Sequence, residues 1–119
     1  MPIANCIITP DCVAGTIDLI EVWANESGQS PEYMAINIMN SNDQFGYNYK
    51  VMANLYLPSL WSGPNASALQ MGLAKVLSKY FKQAIDQVHI VTTIVESGMV
   101  VEAGQEQKWS PEKLNKRSV

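Results

Sequence analysis

The sequence predicts an α/β (α+β) fold: two βαβ units forming one four-stranded sheet with both helices on one face. Three observations predict it. Segments of strand character and segments of helical character follow in the order strand, helix, strand, twice over. Each helical segment leaves enough chain for a crossover, so the two strands of each half should run parallel. Finally, 119 residues with 47% hydrophobic content fit a single globular domain, assigned to 1–109, with a polar C-terminal tail at 110–119.

The first strand is expected over Ile3 to Thr9. Ile3 and Ile7 fall on one face and Ala4, Cys6 and Ile8 on the other. Thr9-Pro10-Asp11 then carries helix-start chemistry: a capping hydroxyl, a proline tolerated at the first position and an acid near the positive end of the dipole. Val13, Ile17, Ile20 and Ala24 recur at helical spacing, and Gly28 suits a C-cap. The first helix is therefore expected over about 11–27. Pro31 ends any continuation, and Tyr33 to Met39 alternates as a second strand. Turn residues from Asn40 to Gly46 precede a long third strand, Tyr47 to Leu57. Pro58 to Pro64 reads as a loop. A second helix begins near Asn65, with Leu69, Leu73, Val76, Leu77 and Tyr80 on one face. Val88 to Val95 is the fourth strand, and Gly98 and Gly104 bracket a short strand or hairpin over Met99 to Ala103.

Composition narrows the function classes. A net charge of −3 makes nucleic acid a poor partner. The one basic cluster, Lys108, Lys113, Lys116 and Arg117, sits at the C-terminal end. No apolar run approaches the ~18 residues of a membrane span, and MPIANCIITPDC lacks the layout of a secretory signal. A cytoplasmic location is expected, with no membrane partner. Cys6 and Cys12 match no metal or redox spacing, and His89 is the single histidine. No metal site and no cofactor are expected.

The strands carry a further implication. Right-handed crossovers put both helices on one side of the sheet when the halves are related by a pseudo-twofold axis. In the fourth strand Val88, Ile90 and Ile94 oppose Val91 and Val95, so the uncovered face is apolar too. No further element of the chain is large enough to cover it, and association of copies through the sheet follows.

A two-βαβ chain of this size beginning Met-Pro resembles the tautomerase superfamily, above all its macrophage migration inhibitory factor branch. The likeness rests on MPIANCII at the start, SGQSPEYMAINI over 27–38 and DQVHIV over 86–91. The layout is also similar to the carboxymethyl-hydroxymuconate isomerase branch. The resemblance implies a homo-oligomer, expected as a homotrimer, with sheets packed around a common core. It implies keto–enol proton transfer on a small-molecule enol or ketone, with the amine of Pro2 as general base after removal of Met1. With Met1 attached, the Pro2 nitrogen would be an amide without basicity. Tyr33 matches the tyrosine after the family's proline and would wall the pocket. His89 stands where the branch has a tyrosine entering the neighbouring subunit's site. Gln29 replaces the branch's pocket lysine, and Val91 replaces a pocket asparagine. Trp109 corresponds to an aromatic closing the pocket. Lys50, the only lysine before the second helix, is a candidate at the pocket edge. The shortage of cations points to a neutral or singly charged substrate held by hydrogen bonds. The resemblance also allows hydratase or dehalogenase chemistry, with tautomerisation preferred. Two alternatives stand beside it: a non-catalytic trimeric binding or signalling module of the same fold, and a ferredoxin-like ligand-binding domain. Parallel pairing of the first two strands would exclude the latter.

Overall fold

The computed structural model of the chain describes residues 2–61 and 63–110. The expectations on Met1 and on the tail beyond 110 therefore lie outside the described residues. Strand β1 (Ile3–Ile8) leads to helix α1 (Leu19–Ser27) and strand β2 (Ala35–Asn40). Strand β3 (Val51–Pro58) leads to helix α2 (Gly63–Phe81), a short 3-10 turn (Ile85–Gln87) and strand β4 (Val88–Val95). Strands β5 (Val100–Glu102) and β6 (Gln105–Gln107) close a small hairpin of their own.

The four long strands form one sheet in the order β2-β1-β3-β4. Strands β1 and β2 pair in parallel, as do β3 and β4, while the central pair β1 and β3 is antiparallel. The two βαβ halves are thus joined back to front, and parallel pairing of β1 with β2 rejects the ferredoxin-like alternative. Strands β2 and β4 are the edges.

Period-two alternation decides what the sheet buries. Ala4, Cys6 and Ile8 of β1 and Val51, Ala53, Leu55 and Leu57 of β3 face the helices and are buried. They meet Leu69, Leu73, Val76, Leu77 and Phe81 of α2, a stripe at helical spacing, and Trp23 and Ala24 of α1. Trp23 is fully buried, and its indole Nε1 donates to the Leu69 carbonyl at 2.9 Å, tying the helices together. On the opposite face Ile7, Met52, Tyr56 and Val91 remain more than a third exposed. Among the described residues that face carries no helix.

Helix α1 starts at Leu19, not near residue 11. The Thr9-Pro10-Asp11 signal is spent in a turn. Cys12 N–H donates to the Thr9 carbonyl, the Thr9 hydroxyl donates to Asp11, and Asp11 pairs with Lys50. The working N-cap is Asp18, whose carboxylate accepts from the N–H groups of Ile20 and Glu21 at 3.1 and 3.2 Å. Val13, counted on the helical stripe, lies 65% exposed in the connection. Gly28 is the C-cap in the left-handed region, as its lack of a Cβ favours. Two strands are also shorter than their patterns. Tyr33 has φ +68°, so β2 begins at Ala35. β3 begins at Val51, and Tyr47 to Lys50 stay outside it. Among the described residues no helix is long and apolar enough to cross a membrane.

Candidate functional site

Pro2 is buried at the head of β1, and its carbonyl accepts from Ala35 N–H at 3.0 Å. Strand register fixes what surrounds it. Ile3 pairs with Ala35 on one side and Tyr56 on the other, and Tyr56 pairs with Thr93. The start of β1, the start of β2 and the ends of β3 and β4 therefore share one end of the sheet. The β5–β6 hairpin lies over this end and makes two recesses with it. The first, about 270 Å³, is lined by Ile3, Tyr56, Pro58, Val95, Met99 and Val100. The second, about 370 Å³, is lined by Ile3, Tyr33, Val100, Val101 and Glu102. Ile3 and Val100 belong to both, so the recesses adjoin at Ile3, the residue after Pro2, which itself is in neither lining.

Tyr33 and Trp109 both come to this end. Tyr33 lines the second recess; its left-handed backbone turns the chain into β2 and leaves the ring 69% exposed. The Trp109 indole Nε1 donates to the Ser59 hydroxyl at 3.0 Å, and its backbone N–H donates to Ser97 at 2.8 Å. Ser59 N–H in turn donates to the Val95 carbonyl. These bonds hold the indole beside the strand ends that line the first recess. Gln29 sits just past the α1 cap, half-buried, with its N–H on the Ala24 carbonyl, in the connection that delivers Tyr33.

Lys50 and His89 lie at the opposite end of the same sheet. Val51 pairs with Val88 and Ile8, so Lys50 is a full strand length from Pro2. Its ammonium holds the Asp11 carboxylate at 2.6 Å. This contact, with the Thr9 hydroxyl, pulls the Asp11 carboxyl down to about 2 and pushes Lys50 upward. His89 pairs with Met52 in register and stacks on Tyr49 at 4.4 Å; Tyr49 meets Tyr47 edge-on at 5.1 Å. Within one copy the sheet separates His89 from Pro2.

The sequence did not single out Tyr56, Met99, Val100 or Glu102 as lining residues. Glycines 98 and 104 announce the hairpin, but nothing local says that it covers Ile3. Glu102 is the one charged side chain among the described lining residues. Both recesses are otherwise walled by apolar and aromatic groups, an environment that disfavours a cation on a neighbouring amine. Cys6, on the helix side of β1, has its thiol pushed up to about 11 by burial and is inert at neutral pH. No group of three or more His, Cys, Asp or Glu among the described residues is placed to hold a metal ion.

No family model matches the chain, and no curated protein matches it. Solved structures do. A fused 4-OT wild-type symmetric trimer is similar with a TM-score of 0.71 at 14% identity, over 88% of this chain and 94% of that one. Macrophage migration inhibitory factor from Oncomelania hupensis gives 0.70 at 12% identity, over 99% and 91%. A member of the cis-3-chloroacrylic acid dehalogenase family gives 0.69 at 8% identity, over 97% and 89%. With two helices on a four-stranded mixed sheet, the chain has the α+β fold of these tautomerase-superfamily structures.

Proposed function

We propose that the chain is a tautomerase-type isomerase, with the amine of Pro2 as general base once Met1 has been removed. The unit is residues 1–109, with 110–119 as a polar tail, working as a homotrimer in the cytoplasm. The observation that supports this reading is the burial of Pro2 at one sheet end, immediately before Ile3, which lines two adjoining apolar recesses. An α-amino group has an ordinary pKa of about 7.7–8.0, and an apolar wall lowers it by penalising the cation. Such a base removes a proton from the carbon next to a carbonyl and returns it elsewhere on the enol. Tyr33 and Trp109 border the substrate space, with Gln29 near the second recess. His89 lies at the far end of its own copy, and the likeness of its position to the family's assigns it to a neighbouring copy's site. Lys50 stays with Asp11 and takes no part in that copy's own site. With no Lys or Arg among the described lining residues, the substrate is a small neutral or singly charged enol or ketone.

Intact-mass measurement and enol–keto conversion of a phenylpyruvate-like compound test the reading together. The expected result is a mass lacking Met1 and a loss of about 10²–10⁴ in rate for Pro2→Ala, the usual worth of a general base. Retained Met1, or equal rates for the two proteins, overturns it. The lack of a lining cation favours one second reading, a non-catalytic trimeric module of the same fold. That reading expects no conversion by either protein.

A further inference from the structure

On β1 and β3 the helix-free sheet face is apolar at both ends and amide in its middle, while β4 adds Thr93, Val91 and His89 to the same three rows. Near Pro2 it presents Ile3 and Tyr56 in register, and at the other end Ile7 and Met52. Between these rows, Asn37, Asn5 and Asn54 stand side by side on β2, β1 and β3. The Asn37 amide donates to the Asn5 side-chain oxygen at 2.9 Å. The Asn54 side chain makes no hydrogen bond among the described residues. An amide is polar enough for a wet face, yet carries no charge and can be covered by any group that pairs with it.

We infer that this amide row is the belt through which identical copies of the chain meet, and that it fixes their register. The inference rests on the homo-oligomer in the reading above and adds the residues that set it. The strand positions on this face carry no Asp, Glu, Lys or Arg. Copies that each bear a net charge of −3 repel least where they meet on an uncharged surface. An amide is both donor and acceptor, so an amide row is complementary to another copy of itself. Apolar rows alone would tolerate sliding. An amide brought against isoleucine or methionine would be buried without a partner, so the belt admits one alignment, as a single buried asparagine does in a coiled coil. Register matters for the site, because the row bearing His89 and the row beside Pro2 flank the belt on opposite sides.

The test uses the full chain, read by native mass spectrometry and sedimentation velocity, with circular dichroism to check folding. Asn54→Asp places like charges in the belt. It is expected to weaken assembly at least tenfold at pH 7 and to restore it near pH 4, where the new carboxyl begins to protonate. Ser67→Asp, on the exposed side of α2, is expected to assemble as wild type does. Asn54→Leu keeps the face uncharged but removes an amide. It is expected to associate in more than one stoichiometry, and it carries the test if the aspartate variant fails to fold. A wild-type chain that stays monomeric at 100 µM overturns the inference, as does an Asn54→Asp chain that assembles normally at pH 7. A single wild-type stoichiometry for Asn54→Leu also overturns it. Pro2→Ala is measured alongside and should assemble normally. A belt that responds as described beside an inactive wild type overturns the catalytic reading alone; activity without a belt response overturns this inference alone.

Discussion

Trp23→Phe should cost the fold about 2 kcal/mol, and the structure says where that energy resides. The indole is fully buried between α1 and α2. Replacing it with a benzene ring empties roughly 40 Å³; at about 24 cal/mol per Å³ that is ~1 kcal/mol. The bond from Nε1 to the Leu69 carbonyl is also lost, at a net ~1 kcal/mol. The Leu69 carbonyl keeps its helical partner, so no orphaned acceptor enlarges the loss. Urea unfolding at one fixed protein concentration measures the sum. With a slope near 2 kcal/mol/M, the midpoint should fall by about 1 M. Trp61 supplies the control. Its indole Nε1 is buried without a hydrogen-bond partner among the described residues, and its ring packs at the margin of the core. Trp61→Phe removes a donor that gains nothing from folding, so it should cost well under half as much. Equal costs for the two substitutions would refute the reasoning, because the hydrogen bond would then contribute nothing beyond ring volume.

Two further outcomes are expected. A Cβ at Gly15 would lie 2.6 Å from the Tyr80 carbonyl oxygen at the end of α2; backbone cannot swing aside as a side chain can. Gly15→Ala should therefore destabilise by about 1–3 kcal/mol in chemical denaturation, and a neutral result would show that the 9–18 connection moves freely. The Asp11–Lys50 pair predicts a pH dependence of known sign. Asp11 is depressed to about 2, so its contribution is complete above the ordinary aspartate range and is lost as pH falls toward 2. Lys50 is raised, so its contribution is complete at neutral pH and is lost only above the ordinary lysine range. The stability difference between wild type and Asp11→Asn should be flat from pH 6 to 8, shrink below pH 4 and be smaller in high salt. A difference that grows on acidification contradicts the pairing.

The parts of the fold legible in the sequence were those where one periodicity ran without interruption. Leu69, Leu73, Val76 and Leu77 could only be a helix stripe, and Ile3 to Ile8 alternates with one buried face. The start of α1 was hidden because Thr9-Pro10-Asp11 is equally good as a cap and as a turn. In the fold it is a turn, with Asp11 engaged by the Thr9 hydroxyl and by the distant Lys50. The left-handed Tyr33 was unreadable for a related reason: non-glycine residues adopt positive φ when tertiary contacts demand it, and local chemistry gives no notice. For the site, the sequence could mark Pro2, Tyr33 and Trp109, which share an end, and Lys50 and His89, which do not. The antiparallel central pair makes that division, and strand order cannot be read from hydropathy. Asn5, between Ile3 and Ile7, carries no message alone, because one polar residue in a strand is ordinary. Its meaning depends on Asn37 and Asn54 arriving beside it.

Among the described residues strand β4 ends the sheet as eight residues, Val88–Val95, without an acidic or basic side chain other than His89, a proline or a glycine. An unprotected margin of that kind is an adhesive seam that recruits extended chain from any source. Were a neighbouring copy of the proposed homo-oligomer also to pair with this seam, it would be protected, and losses in handling would then follow an unusual rule. Dilution, which spares most proteins from clumping, would here expose the seam and begin the precipitation, and concentrated stocks would keep best.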